Sequence, residues 1–300
     1  MPKLVECIPN FSISREKDRV GYDALMAEAE RLPGCTLVEA HSDGQNNRSM
    51  FKLVGTPEGV VEGALRLSRL AVGRIDMNFH RGRHARIGAV DVIPLIPMSG
   101  MTVADCAQLA HRLGRRMWQE LGVPVFLYEG AATRPDCRSL SNIRRGEFEG
   151  MPEKLLQPQW APDFGQRQIH PTAGVTAIGA RKHIVAFNVN LETKNQLLAQ
   201  KIAQVVQDSF DHCRAMGFLS EERGLAQVSM SITDYEETPL YAVLERVRTL
   251  AEFQKTQVVD TEIVGNVPAE ALLDCAEFYL KTRNFNSSHQ VLECHLMELE

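Results

Sequence analysis

The densest chemistry in the chain lies at residues 76–94, which read DMNFHRGRHARIGAVDVIP. His80 and His84 stand four residues apart among Arg81, Arg83 and Arg86, with Gly82 and Gly88 between them and an apolar stretch. A metal site would need both histidines on one face of a helix. Gly82 and Gly88 point to a loop instead, and no glutamate follows His80, so no metal is expected. A solvated basic loop, with one histidine hydrogen-bonded for structure, also satisfies this composition. Arginines packed around a histidine, however, repel its proton, which lowers the pKa and leaves a neutral imidazole to act as a base near neutral pH.

Two further clusters carry candidate side chains. His41, Asp43, Asn46, Asn47 and Arg48 form a polar turn in which Asp-Gly and Asn are turn residues in their own right. Arg48, at the start of the following strand, suits a forked pair with a carboxylate. Residues 151–174 are rich in proline, glutamine and glycine without a clear period, so they read as an inter-domain connector or a functional segment. Trp160, Phe164 and the flanking glycines there would suit a flat aromatic ligand. Residues 174–182 have the outline of a phosphate loop, but Gly179 is followed by Ala180 and Arg181 rather than Lys and Ser/Thr, so no nucleotide cradle is expected. The seven cysteines form no C-x-x-C pair, which argues against a disulfide framework or structural zinc and for a reducing cytoplasm. Cys106, Cys213 and Cys275 fall on apolar helical stripes and read as small core residues.

The elements that must position these groups follow from periodicity. Strands are expected at 3–8, 35–40, 49–54, 87–95 and 123–128, with helices over 14–32, from Thr56-Pro57, and from Thr102, which has Asp105 three residues on. The second half repeats the order: strand 183–189, a helix capped at Thr193, a short strand at 217–219, and an alternating strand at 225–232. A helix from Thr238-Pro239, strand 256–264 and a helix at Pro268 complete it. Strand-helix-strand-strand-helix-strand in both halves is the split βαβ pattern, so the fold class is α/β (α+β) with two ferredoxin-like βαββαβ subdomains in tandem, 1–180 and 181–300. Composition bounds the rest. The 300 residues carry 33 Lys+Arg against 38 Asp+Glu, a net charge of −5, which disfavours a phosphate-neutralising nucleic-acid binder. No segment has the roughly 18 apolar residues of a membrane span.

Taken together, Glu6-Cys7-Ile8-Pro9-Asn10-Phe11-Ser12, Asn47-Arg48-Ser49, Val60-Val61-Glu62-Gly63-Ala64-Leu65, the 76–94 block, Trp160-Ala161-Pro162-Asp163-Phe164-Gly165 and Gly179-Ala180-Arg181-Lys182 resemble the formiminotransferase domain of glutamate formimidoyltransferases. The likeness runs over essentially the whole chain. It implies two ferredoxin-like α/β subdomains with substrates held between them, a homodimer, and transfer of the formimino group of N-formimino-L-glutamate to tetrahydrofolate, with tetrahydrofolate as co-substrate, in histidine degradation. The family's catalytic histidine falls on His84. Its folate-binding segment falls on Gly165, Gln166, Arg167, Gln168, Ile169, His170, Pro171, Thr172, Ala173 and Gly174. One histidine can take the proton from the attacking nitrogen and return it to the leaving one.

Arg48, Arg86, Arg181 and Lys182 are the candidates for the substrate carboxylates. His41 and Asp43 stand where the family has an acidic residue and are expected to orient His84. Ala85 replaces an expected proline, and Glu129-Gly130 inverts an expected Gly-Glu. A chain of one transferase unit implies a separate cyclodeaminase downstream. Two other readings stay open: a transferase using N-formylglutamate, and a non-catalytic folate-binding module.

Overall fold

The computed structural model describes residues 2–294. The chain divides into two compact units, the first ending at Arg181 and the second beginning at Lys182. In the first, strands β1 (Val5–Cys7) and β2 (Asn10–Phe11) flank Pro9, which has no N–H to give a ladder. Helix α1 (Arg19–Ala29), strands β3 (Cys35–Asp43) and β4 (Arg48–Gly55), helix α2 (Pro57–Arg74) and strand β5 (Val90–Pro97) follow. β1 and β2 lie between β4 and β5, and β3 lies outside β4, all antiparallel. That is the ferredoxin-like order expected of a βαββαβ unit.

The first unit then grows beyond the motif. Helix α3 (Val103–Leu121) leads to strand β6 (Val125–Glu129), and after helices α4 (Leu140–Arg144) and α5 (Glu147–Leu156) comes strand β7 (Thr176–Ala180). β7 inserts between β5 and β6, parallel to both, and brings the sheet to seven strands. One core joins Leu25, Leu65 and Leu113 of the helices to Phe51, Leu53 and Ile93 of the sheet. Another packs Val92, Phe126 and Tyr128 against Ile143, Met151 and Leu155 of α4 and α5. β5 is therefore buried on both faces, which is why its sequence is an apolar run rather than an alternation.

The second unit runs β8 (Val185–Leu191), α6 (Gln196–Ser209), β9 (Cys213–Leu219), β10 (Ala226–Ile232), α7 (Leu240–Phe253) and β11 (Val258–Val264), with α8 (Ala269–Leu280) and α9 (Ser287–Gln290) after it. Its antiparallel sheet has the order β11-β8-β10-β9, again ferredoxin-like. The alternation read at 225–232 is present: Ala226, Val228, Met230 and Ile232 are buried. Gly217 lets α6 lie on β9, since a Cβ there would come within 2.1 Å of the Gln200 backbone nitrogen. Among the described residues, no helix is long and apolar enough to cross a membrane.

Local chemistry shifted several expected boundaries. The first helix starts at Arg19 rather than at residue 14, because the Asp18 carboxylate accepts the Gly21 N–H at 2.9 Å and caps it there. Asn195, not Thr193, caps α6. Thr56 and the Thr102/Asp105 capping box act as the sequence predicts. Cys213 belongs to strand β9 rather than to a helix, and burial pushes its thiol up to about 11 and that of Cys106 to about 12. Residues 151–174 are not structureless, since α5 occupies their first part. β7 carries only one β-branched apolar residue and needs Gly179 against the Tyr128 ring, where a Cβ would lie 2.4 Å from it. A strand of that composition has little local signature.

Candidate active site

The loop between α2 and β5 carries both histidines and is held from three sides. Met77 N–H donates to Thr172 O at 2.8 Å, Ala89 N–H to Ala173 O at 2.9 Å, and Val175 N–H to Ile87 O at 3.1 Å, so the loop is stitched to residues 172–175. Asn47 Nδ2 donates to Arg81 O at 3.0 Å from the β3–β4 turn. Phe148 N–H donates to Arg86 O at 2.9 Å from α5. Both loop glycines serve close packing: a Cβ at Gly82 would lie 2.1 Å from Asn46 O, and one at Gly88 would lie 2.2 Å from Val175 O.

The two histidines are bonded differently. His80 is buried; a carbonyl can only accept, so its Nε2–H donates to Asn47 O at 2.9 Å, and its Nδ1 accepts from Arg86 Nε at 3.3 Å. Both ring nitrogens are used, and the ring is a structural bracket. His84 is half-buried and donates Nδ1–H to Ala85 O at 2.6 Å. Its Nε2 keeps a lone pair with no hydrogen bond among the described residues. Burial first, then the positive charge of Arg48 and more weakly that of Arg144, holds the His84 imidazole below its ordinary pKa, while the Ala85 carbonyl and Asp91 oppose them. A neutral base with one nitrogen fixed and the other open suits proton transfer.

Next to it lies a charge cluster that the sequence did not announce. The Asp91 carboxylate on β5 is fully buried and accepts from Arg48 NH1 and Arg144 NH2, each at 2.5 Å, and from Ile87 N–H at 3.0 Å. Despite its burial, the two arginines hold this carboxyl below the usual range. A lone charge inside a β-branched strand has to be paired, and that was the legible signal for Asp91. Nothing in the spacing marked Arg144, which sits at the end of a five-residue helix.

The other expected site residues divide. Arg86 is not free to meet a substrate carboxylate: its guanidinium holds Glu147 at 2.6 Å and Glu149 at 2.6 and 2.8 Å, tying the loop to α5. Lys182, in the second unit, likewise faces Asp234 at 2.8 Å and Glu236 at 2.6 Å, which raise its pKa. Arg181 donates its backbone N–H to Leu95 O at 3.1 Å, and its side chain hydrogen-bonds the buried Tyr128 phenol. Asp43 makes no hydrogen bond to His84 among the described residues. It accepts from Gln45 N–H, Asn46 N–H and Asn46 Nδ2 and shapes the β3–β4 turn, with His41 exposed on β3. The orienting partner of His84 is the Ala85 carbonyl.

The segment 165–174 begins at Gly165 with φ +109°, leaves Gln166, Arg167 and Gln168 exposed, and tucks Ile169 into the core. His170 Nδ1 accepts the Ala173 N–H at 3.0 Å, and a paired His170/Gly174 backbone bridge closes the turn over Pro171 and Thr172. The aromatic rings expected to take a flat ligand are occupied. Lys154 Nζ sits 3.9 Å from the Trp160 ring centroid, and Phe164 packs edge-on to His111 and against Gly114 of α3. Asp163 is an anchor, accepting from Leu127 N–H at 2.8 Å and from Thr133 and Arg134.

Comparison with known proteins identifies the family of the chain. Residues 4–181 match the model of the formiminotransferase domain, N-terminal subdomain, and residues 186–297 that of the formiminotransferase domain. The chain is 45% identical over 300 residues to the glutamate formimidoyltransferase of Streptococcus pyogenes serotype M1, covering 99% of this chain and 100% of that one. It is 37% identical over 293 residues to the glutamate formimidoyltransferase of Thermoplasma acidophilum, with 95% of each chain covered. To the formimidoyltransferase-cyclodeaminase of Gallus gallus it is 43% identical over 290 residues, covering 94% of this chain but only 53% of the relative, about half its length. With both subdomain models matched end to end on the two units, the chain belongs to the formiminotransferase domain family.

Proposed function

We propose that the protein transfers the formimino group of N-formimino-L-glutamate to N5 of tetrahydrofolate, releasing L-glutamate, with His84 as the catalytic base and acid. The observation that carries this reading is the His84 ring, whose Nδ1–H is fixed on Ala85 O at 2.6 Å while Nε2 stays open and unprotonated. The new bond joins the attacking nitrogen to the amidine carbon, and the bond from that carbon to the glutamate nitrogen breaks. His84 Nε2 takes the proton lost by the first nitrogen and returns it to the second, so the ring ends as it began. Fixing both partners beside one histidine supplies further acceleration through positioning.

Tetrahydrofolate, as co-substrate, is assigned to residues 165–174. Support comes from the backbone bonds that join residues 172–175 to the His84 loop, which put this segment and the base on one framework. Arg48 and Arg181 are the assigned carboxylate contacts among the residues named from sequence. Seven free thiols suit a reducing, cytoplasmic compartment, and a homodimer is the assigned oligomeric state.

The test is an assay of protein, tetrahydrofolate and donor, read by product absorbance, with His84→Ala alongside. Turnover of formiminoglutamate that disappears in the variant is expected. Turnover of N-formylglutamate alone would move the reading to a formyltransferase. Folate binding without turnover of either donor would end both.

A further inference from the structure

Asp91 has a fully buried side chain, and both guanidinium groups that meet it bond the same oxygen, Oδ2, at 2.5 Å, while Oδ1 takes the Ile87 N–H. Two positive charges therefore share one carboxylate, and one positive charge is left over. The side chains of Arg48 and Arg144 keep 13% and 16% of their exposure, so each presents an edge outward. Beyond Asp91, neither guanidinium hydrogen-bonds another group among the described residues, and Arg144 Nε is buried without a partner. Native proteins rarely leave buried donors unmet, and each exception calls for an explanation such as a catalytic role or a bound water or ion.

Both arginines are rigidly mounted. Arg48 opens β4, in ladder with Asp43 of β3. Arg144 ends α4, whose last carbonyls are gathered by one ammonium: Lys154 Nζ donates to Asn142 O, Ile143 O and Arg145 O at 2.5, 2.8 and 3.1 Å. Side chains fixed in this way lose little entropy when an anion arrives.

We propose that Arg48 and Arg144, clamped side by side by Asp91, form the receptor for one carboxylate of the glutamate-bearing substrate, with Asp91 as the positioning residue for both. The identity of the substrate rests on the formimino-transfer reading; the anion receptor does not. The same pair faces His84. The charged groups around that ring are Arg48 from β4, Arg144 from α4 and Asp91 from β5, while Tyr128 of β6 adjoins both arginines and hydrogen-bonds Arg181. Arg144 thus has a second readout, because removing its charge relieves part of the repulsion on a protonated His84.

The experiment compares Arg144→Gln and Arg144→Lys with the wild-type chain in L-glutamate binding by calorimetry, His84 titration by NMR, and steady-state kinetics. Arg144→Gln should weaken glutamate binding and raise KM for the donor by roughly tenfold to a hundredfold, the range for a lost charge-assisted contact, with a smaller change in kcat. It should also move the His84 titration and the acid limb of the rate profile to higher pH. Arg144→Lys keeps the charge and loses the fork, so the His84 titration stays in place while glutamate binding still weakens. A folded Arg144→Gln with unchanged glutamate affinity overturns the proposal, whatever its His84 titration. If Arg144→Gln does not fold, Arg144→Lys decides, and undiminished glutamate binding overturns it. No formimino transfer by the wild-type chain, with binding and titration responding as stated, would sink the reaction and leave the receptor standing.

Discussion

His80 and His84, on one loop, carry the proton on opposite ring nitrogens: His80 on Nε2, donated to Asn47 O, and His84 on Nδ1, donated to Ala85 O. The first ring has its second nitrogen filled by Arg86, and the second ring has its nitrogen open. Similar composition around two histidines thus yields one ring with both nitrogens bonded and one with a nitrogen left open.

Replacing the two should separate these roles. His84→Ala should lower kcat by about 10²–10⁴ while leaving the melting temperature nearly unchanged. His80→Ala strands the Asn47 carbonyl and the Arg86 Nε–H, so it should cost about 1–3 kcal/mol in denaturant unfolding. A large kcat loss in a fully folded His80→Ala, with His84→Ala still active, would reverse the assignment.

Acidification should affect activity and stability differently. In the proposed mechanism the neutral His84 ring is the active form, and its pKa is lowered, so the acid limb of kcat/KM should lie below the ordinary imidazole range. His80, His84 and His170 all have depressed pKa values in the folded state. The unfolded chain therefore binds more protons below its own imidazole pKa, about 6.5, and stability falls as pH drops through that value toward the folded pKa values. Melting curves measured on either side of that pH check the sign; a melting temperature that rises on acidification contradicts it.

Gly88→Ala should loosen the active-site framework. The added methyl would meet Val175 O at 2.2 Å and Ala173 O at 2.5 Å, both backbone atoms that no side-chain rotation can move. A stability loss of about 1–3 kcal/mol is expected, together with reduced kcat, because residues 172–175 separate from the His84 loop. Hydrogen exchange at Ala89 and Val175, whose amides cross that seam, reports it directly.

Cysteine modification should leave activity intact. Cys7, Cys106, Cys137 and Cys213 are buried with thiols raised above their ordinary range, mainly by burial. Ellman's reagent at neutral pH should reach these four only after denaturation. Fast labelling of any of them in the folded protein, with loss of turnover, would restore a thiol mechanism.

The sequence by itself determined the parts governed by local chemistry. Period, caps and turn residues marked most strands and helices of both βαββαβ repeats, because the Thr56 cap of α2 or the 226–232 alternation is written in neighbouring residues. It also marked the loop that carries His80 and His84, with His84 singled out by the family resemblance, whereas the arginines that act on the His84 ring, Arg48 and Arg144, come from elsewhere in the fold. Tertiary structure alone decided which charges are available. Arg86 and Lys182 look like substrate ligands in sequence, yet each spends its charge on protein carboxylates distant along the chain, Glu147 and Glu149 for one, Asp234 and Glu236 for the other. Arg144, which no motif marked, stands beside Arg48 because Asp91, buried on β5, must be neutralised there. Pairing of a buried charge is enforced by desolvation over distances in space, and no spacing along the chain records it.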